Sequence, residues 1–476
     1  MICEAAERFA LGGGRDARGP SGGRDARGPS KGETPAVSVR ARLTEMKVVR
    51  IIARLNVGGP ARHVVWLTAG LRGSDCQTEL VAGRVPAGEA DMGYFANQNG
   101  VAPIYIEEMS REISFQDLIS IAKIYRLLMR ERPDIIHTHT AKAGTVGRLA
   151  ALLYRCSAAL TLRSSSRPIK VVHTYHGHIF HGYYGPLKTR FFLLIERVLA
   201  RIATDRIVVV SKQQLKEINQ SFSVGRKQQF VVIPLGLDLS QFSGWQDRRQ
   251  PFREQLGAGP QEILVGIVGR LTGIKNHQLF FDVAKLVLRG AEGGETPPVR
   301  FVVIGEGDLR QALENQVTRD GLGETTVFTG TRSDPENFYP ALDVVALTSR
   351  NEGTPLTLIE AMANSRPVIA TAVGGVIDLL GEPVTQVEDG FEICERGIRV
   401  PPGNAQAFAA GILRLMADAE LRDRLGEAGK KFVEQNYTKQ RLLEDMSGLY
   451  KELMNELKCD DARAARATME SKTTQA

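Results

Sequence analysis

The sequence predicts an α/β protein built as two doubly wound parallel-sheet domains that face each other across a cleft. Three observations predict it. Short β-branched runs alternate with stretches of helical period along most of the chain. The alternation lapses after about residue 240 and restarts at Ile263, so two sheets of similar size are expected. Glycine-rich turns stand where strands give way to helices, and such sheets bind ligands at the carboxyl ends of their strands.

The first half opens with KVVRIIARL from Lys47, then Asn56-Val57-Gly58-Gly59-Pro60 and the amphipathic ARHVVWLTAGL: strand, glycine turn, and helix with proline in its first turn. TELVAG (78–83) and APIYIE (102–107) read as strands. Phe115, Leu118, Ile121, Ile124, Tyr125 and Leu128 recur at helical spacing over 114–130, and Pro133 ends that helix. Strands follow at DIIHTH (134–139), KVVHTYHG (170–177), RIVVVS (206–211) and FVVIPLG (230–236), with helices over 142–153 and 186–203 between them. The second half gives strands at 263–270, 299–307, 326–330, 344–349, 367–375 and near 397, each followed by a helical stretch. Helices are expected over 419–435 and 437–457.

The chain is 476 residues long, 43% hydrophobic and 24% charged, which suits a soluble protein with a large core. Aromatic residues are only 6% and the charge sum is 61 − 54 = +7. That excludes a stacking-based or strongly basic nucleic-acid binder. The five cysteines are scattered with no CxxC pair, which points to free thiols in a reducing cytoplasm and away from a disulfide framework or structural zinc. GGRDARGPS occurs at 13–21 and again at 22–30, with no apolar face, so disorder is expected there. No signal peptide and no transmembrane helix are expected.

Four motifs stand at strand-to-helix turns. Gly58 and Gly59 let the backbone approach a ligand and bare the amides of a helix start, or serve turn geometry alone. HTYHGH (173–178) lies near DIIHTH, and six of the eight histidines fall between 137 and 181. Metal ligation is one reading of that cluster; imidazoles aimed into the cleft as hydrogen-bonding groups are the preferred one, and no metal is assigned. Gly269-Arg270-Leu271-Thr272-Gly273-Ile274-Lys275-Asn276 sets two cations beside a helix start, where they can neutralise a diphosphate. Asn351-Glu352-Gly353-Thr354-Pro355-Leu356-Thr357-Leu358-Ile359-Glu360 puts one carboxylate on a turn and a second, eight residues on, in an apolar helix. A buried glutamate there needs a specific partner.

GRLTGIKN, VVIGEGDLR, NEGTPLTLIEAMA and PVIATAVGG, in this order, resemble the retaining glycosyltransferases of family 4, and the resemblance covers about residues 47–455. It implies the GT-B fold. It divides the chain into a disordered basic tail (1–45), an acceptor-side domain (46–245), a linker (246–262), a nucleotide-sugar domain (263–436), a helix crossing back (437–457) and a disordered tail (458–476). By that resemblance Arg270 and Lys275 hold the donor diphosphate, Glu360 the ribose hydroxyls and Glu352 the sugar hydroxyls. Gly353, Thr354, Pro355 and Leu356 offer amides near sugar and phosphate. Gly305 and Gly307 shape the nucleoside pocket, His176 reaches the transferred sugar, and Gly59 with Gly58 lies by the diphosphate. The family motif often has E-G-F-G or E-P-F-G where this chain has Glu352-Gly-Thr-Pro-Leu, so sugar identity does not transfer.

The implied activity is hexosyl transfer from a nucleotide-sugar, UDP-sugar favoured, to a hydroxyl acceptor in cell-surface glycan or glycolipid assembly. No cofactor is expected, and the absence of a DxD motif at a strand end fits a metal-independent enzyme. A UDP-sugar 2-epimerase of the same architecture and a non-catalytic nucleotide-sugar binder are the alternatives. A Rossmann oxidoreductase is disfavoured, because NVGGPA is not GxGxxG. On the acceptor side the candidates are His139, Lys142 and His178. Lys142, Arg148 and the basic, amphipathic segment 183–201 suggest a peripheral contact with the inner face of the plasma membrane and a glycan or lipid-linked acceptor.

Overall fold

Val48, Val49, Ile51 and Ile52 make the opening strand apolar on both faces, as a strand covered from both sides requires. The structure, a computed structural model, describes residues 46–474 apart from 57, 74, 87–90, 111–113, 161–167, 178–184, 292–295 and 387–388. The expected tail at 1–45 therefore lies outside the described residues.

The first half runs β1 (Met46–Ile52), α1 (Gly59–Gly70), β2 (Cys76–Gly83), α2 (Gly93–Gln98), β3 (Ile104–Ile106), α3 (Gln116–Glu131), β4 (Ile135–His139), α4 (Ala141–Leu160), β5 (Lys170–Tyr175), α5 (Pro186–Ile202), β6 (Arg206–Val209), α6 (Lys212–Leu215) and β7 (Phe230–Val232). Its sheet is wholly parallel, in the order β3-β2-β1-β4-β5-β6-β7. The second half runs α7 (Arg249–Gln255), β8 (Ile263–Val268), α8 (His277–Ala291), β9 (Val299–Ile304), α9 (Arg310–Arg319), β10 (Thr326–Gly330), α10 (Pro335–Ala341), β11 (Val344–Leu347), α11 (Leu356–Ala363), β12 (Val368–Thr371), α12 (Val376–Leu380), β13 (Pro383–Gln386), β14 (Glu392–Cys394), β15 (Gly397–Val400), α13 (Ala405–Ala417), α14 (Ala419–Asn436) and α15 (Lys439–Thr474). Its sheet order is β10-β9-β8-β11-β12-β15-β14-β13.

Three features differ from expectation. The second sheet is not purely parallel: β14 pairs antiparallel with β15, and β13 antiparallel with β14. Short strands joined by a turn at the sheet edge carry too weak a period to be read. Residues 246–262, expected as a linker, include the helix α7. Phe242 and Phe252 sit in the second core, and the buried Arg253 guanidinium donates to Asp343 Oδ2 at 2.9 Å. The last helix does not fray at 458 but continues to Thr474.

Several contacts join the halves. Leu237 N donates to Tyr437 O at 2.8 Å, and Lys439 N to Leu237 O at 2.8 Å. Leu442, Met446, Leu449, Tyr450 and Leu453 of α15 then pack beneath the first sheet, against Val48, Leu67 and Ile135. In each sheet the strand order reverses beside the first strand of its half, between β1 and β4 and between β8 and β11. Those two switch points place the loops after β1, β4, β8 and β11 together, and they hold the candidate site.

Candidate active site

On the second half the loop after β8 and the loop after β11 clasp each other. Arg350 N donates to Ile274 O at 2.8 Å, and Thr348 Oγ1 to Lys275 O at 3.0 Å. This brings Lys275 Nζ to 2.6 Å from Glu352 Oε1, which also accepts from Ser349 Oγ at 2.6 Å. The two residues expected at diphosphate and sugar thus form an ion pair. Arg270 is exposed on the same loop, with its charge open to an incoming anion.

Glu360 lies one turn into α11 and is buried. Tyr339 OH donates to its Oε2 at 3.0 Å, and Arg62 Nη1 of α1 stands 3.7 Å from its Oε1, reaching over from the first half. Burial raises the Glu360 carboxyl above its ordinary value, opposed by Arg62 and by the Tyr339 phenol. A carboxylate so placed gains most from a donor that is itself neutral, such as a diol.

The glycines explain how closely the loops meet. A Cβ on Gly353 would stand 2.4 Å from the His176 carbonyl oxygen, across the cleft. One on Gly59 would press to 3.0 Å from Leu356 Cδ1. Gly305 takes φ +143° and a Cβ there would meet Gly269 O at 2.0 Å; one on Gly307 would meet Leu271 O at 2.6 Å. Gly58 caps α1 and Pro60 sits in its first turn, so the amides after Gly59 open the helix toward the cleft. Pro355 caps α11, Leu356 begins it, and Thr354 Oγ1 stands 3.5 Å from Val210 O of the first half. The structure therefore gathers Gly58, Gly59 and His176 from one half opposite Glu352, Gly353, Thr354, Pro355 and Leu356 of the other.

The histidines form the first-half wall. His139 Nδ1 and His176 Nε2 are 3.1 Å apart. His63 of α1 lies edge-on to His176 with ring centroids 4.7 Å apart. Burial lowers His176 to about 4, and drives His63 and His139 well below the ordinary imidazole value, aided by neighbouring histidines. All three are neutral at pH 7. Both ring nitrogens of His63, Nε2 of His139 and Nδ1 of His176 have no partner among the described residues. Thr140, next to His139, holds φ 69°, a left-handed backbone unusual for a β-branched residue.

The nearest nitrogens of these three imidazoles lie within 4.8 Å of one another, a donor set of the right type for a divalent metal. Metal-bound imidazoles normally pass their second N–H to an acceptor, and here those acceptors are missing. Sugar hydroxyls, which both donate and accept, match the same unpartnered nitrogens in hydrogen-bonding type, although these nitrogens are buried.

Other expectations fare differently. Lys142 is buried in an ion pair with Asp117 and presents no open charge to an acceptor. Arg148 is fully buried and grips both oxygens of Glu196 at 2.7 Å, so it is an internal tie between α4 and α5 and not a surface cation. Helical spacing on a small-residue helix cannot tell an inward arginine from an outward one. His178 lies outside the described residues. Sequence reasoning missed His63, Arg62 and Tyr339; the one signal for the first two was their place in the first turns after Gly59.

Two switch-point clefts, face to face, with cations and carboxylates on one lip and imidazoles on the other, define a two-domain GT-B group-transfer enzyme. The sequence profile of Glycosyltransferase Family 4 matches residues 57–241, and that of Glycosyl transferases group 1 matches residues 248–432. The Escherichia coli UDP-Gal:alpha-D-GlcNAc-diphosphoundecaprenol alpha-1,3-galactosyltransferase is 30% identical over 282 residues, which cover 58% of this chain and 68% of that protein. The Staphylococcus aureus capsular polysaccharide biosynthesis glycosyltransferase CapM is 27% identical over 360 residues, 74% of this chain and 86% of that protein. The Anabaena Alr3699/HepE structure in complex with UDP superposes with a TM-score of 0.67 at 20% identity, over 86% of this chain and 100% of that one. The chain belongs to the family 4 (group 1) glycosyltransferases and is a glycosyltransferase.

Proposed function

We propose that the enzyme moves a hexosyl group from a UDP-sugar to a hydroxyl of a glycan or lipid-linked acceptor, with retention and without a metal, at the cytoplasmic face of the membrane. The observation that carries this is the convergence of Arg270, Lys275, Glu352 and Glu360 at one switch point, facing His176 over Gly353. The relatives support the substrate class: UDP-Gal and a diphosphoundecaprenol acceptor for one, capsular polysaccharide for another. The neighbouring Anabaena fold was solved with UDP-glucose.

In the reaction the anomeric C–O bond to the β-phosphate breaks and its electron pair leaves with UDP. The acceptor oxygen bonds to the same face of the sugar, and its proton passes to the departing phosphate oxygen. Arg270, Lys275 and the α11 amides stabilise the charge that develops on the leaving group. Lys275 must be drawn from Glu352 toward the diphosphate, which frees Glu352 to accept sugar hydroxyls. His176, neutral at working pH, hydrogen-bonds the sugar and is no proton shuttle.

The test is UDP release from a panel of nucleotide-sugars, with and without lipid-linked acceptors, in EDTA. Acceptor-dependent release from one UDP-sugar is the expected result. Donor binding without release would move the protein to the epimerase or the non-catalytic reading. Activity lost in EDTA and restored by Zn²⁺ would overturn the metal-free mechanism and name His63, His139 and His176 as ligands.

A further inference from the structure

The outer layer of the first half carries apolar side chains that stand exposed among the described residues. Leu187, Phe191, Leu194, Val198 and Ile202 are all exposed on α5, Leu187 by 83%. Their spacing of four, three, four and four residues makes one stripe along a helix, about 22 Å long at 1.5 Å per residue. The inner residues Leu193 and Ala200 pack with Tyr175, Ile207 and Val209 of the sheet, so the stripe faces away from it.

The stripe continues across the layer. Helices α3, α4 and α5 cover the same sheet face, the one that presents Val49, Ile136, Val171 and Tyr175. Phe115 at the start of α3 is 94% exposed, and Leu118, Ile119 and Met129 follow it; Leu153 is exposed on α4. Ten of the fourteen exposed large hydrophobic residues among the described ones belong to this one layer. Scattered exposed hydrophobics are ordinary, but this concentration on one face is not.

Charge tells what covers the layer. Arg126, Arg130, Lys188, Arg190 and Arg201 are exposed among these apolar residues. No acidic residue described on the three helices is exposed: Asp117 pairs with Lys142, Glu131 with Lys47 and Arg130, and Glu196 is buried against Arg148. A second copy of the chain would bring cation against cation. A helix face of this composition lies in the interface of an anionic bilayer, apolar side chains among the acyl chains and cations at the phosphates. No helix among the described residues is long and apolar enough to cross a membrane, so the contact is a peripheral one.

We propose that the α3–α4–α5 face docks on an anionic phospholipid bilayer, with the α5 stripe inserted. The proposal deepens the lipid-linked-acceptor reading and rests on it for its purpose, since α5 follows β5, whose end leads directly into His176. Docking itself needs neither donor nor acceptor, so the two stand or fall separately.

The experiment is flotation of the full chain with vesicles of phosphatidylcholine alone and of phosphatidylcholine with an equal share of phosphatidylglycerol. The wild type is expected to float with the anionic vesicles and to be weakened, not released, by high salt. Leu187→Ser, Phe191→Ser and Leu194→Ser together, and separately Arg190→Glu with Arg201→Glu, are each expected to weaken vesicle binding ~10-fold or more. UDP affinity, read by calorimetry, stays unchanged in both variants and certifies their fold. A wild type that ignores anionic vesicles, or a triple variant that floats like the wild type, would overturn the proposal. So would a concentration-dependent dimer that the triple variant abolishes, which would give the face to a second copy. Vesicle binding that persists when no lipid-linked acceptor is turned over would sink the acceptor reading and leave the docking face standing.

Discussion

His176 and Glu360 show how one side chain takes its meaning from what surrounds it. Burial holds His176 at about 4, so at neutral pH it offers one donor and one acceptor and no charge. His176→Ala is expected to lower kcat ~10²-fold, the scale of losing one transition-state hydrogen bond, with UDP affinity unchanged. Unchanged turnover would end its assignment to the sugar. Glu360 is different, because its partners Tyr339 and Arg62 satisfy it only in part. Glu360→Gln is expected to raise the donor KM by ~10-fold, the worth of about one charge-assisted hydrogen bond, with kcat nearly kept. A donor titration at saturating acceptor reads both. Glu352 and Glu360 were legible from their eight-residue spacing and their family pattern. Arg62 was not, because its partner lies nearly three hundred residues away.

At the scale of elements, α4 and α5 are held by a buried ion pair whose geometry is complete on the carboxylate side. Glu196 takes two bonds from Arg148 and one from Tyr175 OH at 2.5 Å. Removing the cation leaves a buried carboxylate, whereas removing both charges does not. Arg148→Met is expected to destabilise the protein by about 3–5 kcal/mol, and adding Glu196→Leu to recover most of it. Urea midpoints of the two variants check this. The same elements show the limits of pattern reading. The long parallel strands and their crossover helices were plain in the sequence because their periods run over many residues. The β13–β14 edge was not, since three- and four-residue strands leave almost no period.

For the whole molecule, the histidines set the response to acid. His63, His137, His139, His173, His176 and His277 are all lowered, chiefly by burial, with His277 also at about 4. In the unfolded chain they titrate near 6.5. Between pH 6.5 and about 4 the unfolded state therefore binds more protons, and stability falls as pH falls. Above about pH 8 these groups are neutral in both states and contribute almost no slope. The urea midpoint is expected to change little above about pH 8, to fall gently from pH 8 to 7 and to drop steeply between pH 6.5 and 5, by up to about 1.4 kcal/mol per pH unit for each group fully protonated only when unfolded. A midpoint that holds steady to pH 5 would show that the histidines are hydrated in the folded protein.

The sequence by itself determined the two sheets, the order of their strands along the chain and the loops that carry chemistry. These are local properties: hydrophobic period, glycine at a strand end, proline at a helix start. Tertiary structure alone decided that His63 joins His139 and His176, that Lys275 rests on Glu352, that Arg148 turns inward and that the apolar face of α5 turns outward. A periodic pattern says that one face of a helix is buried, but not against what. Only the folded chain brings distant residues within a few ångströms, and there charge, burial and hydrogen bonding decide what each one can do.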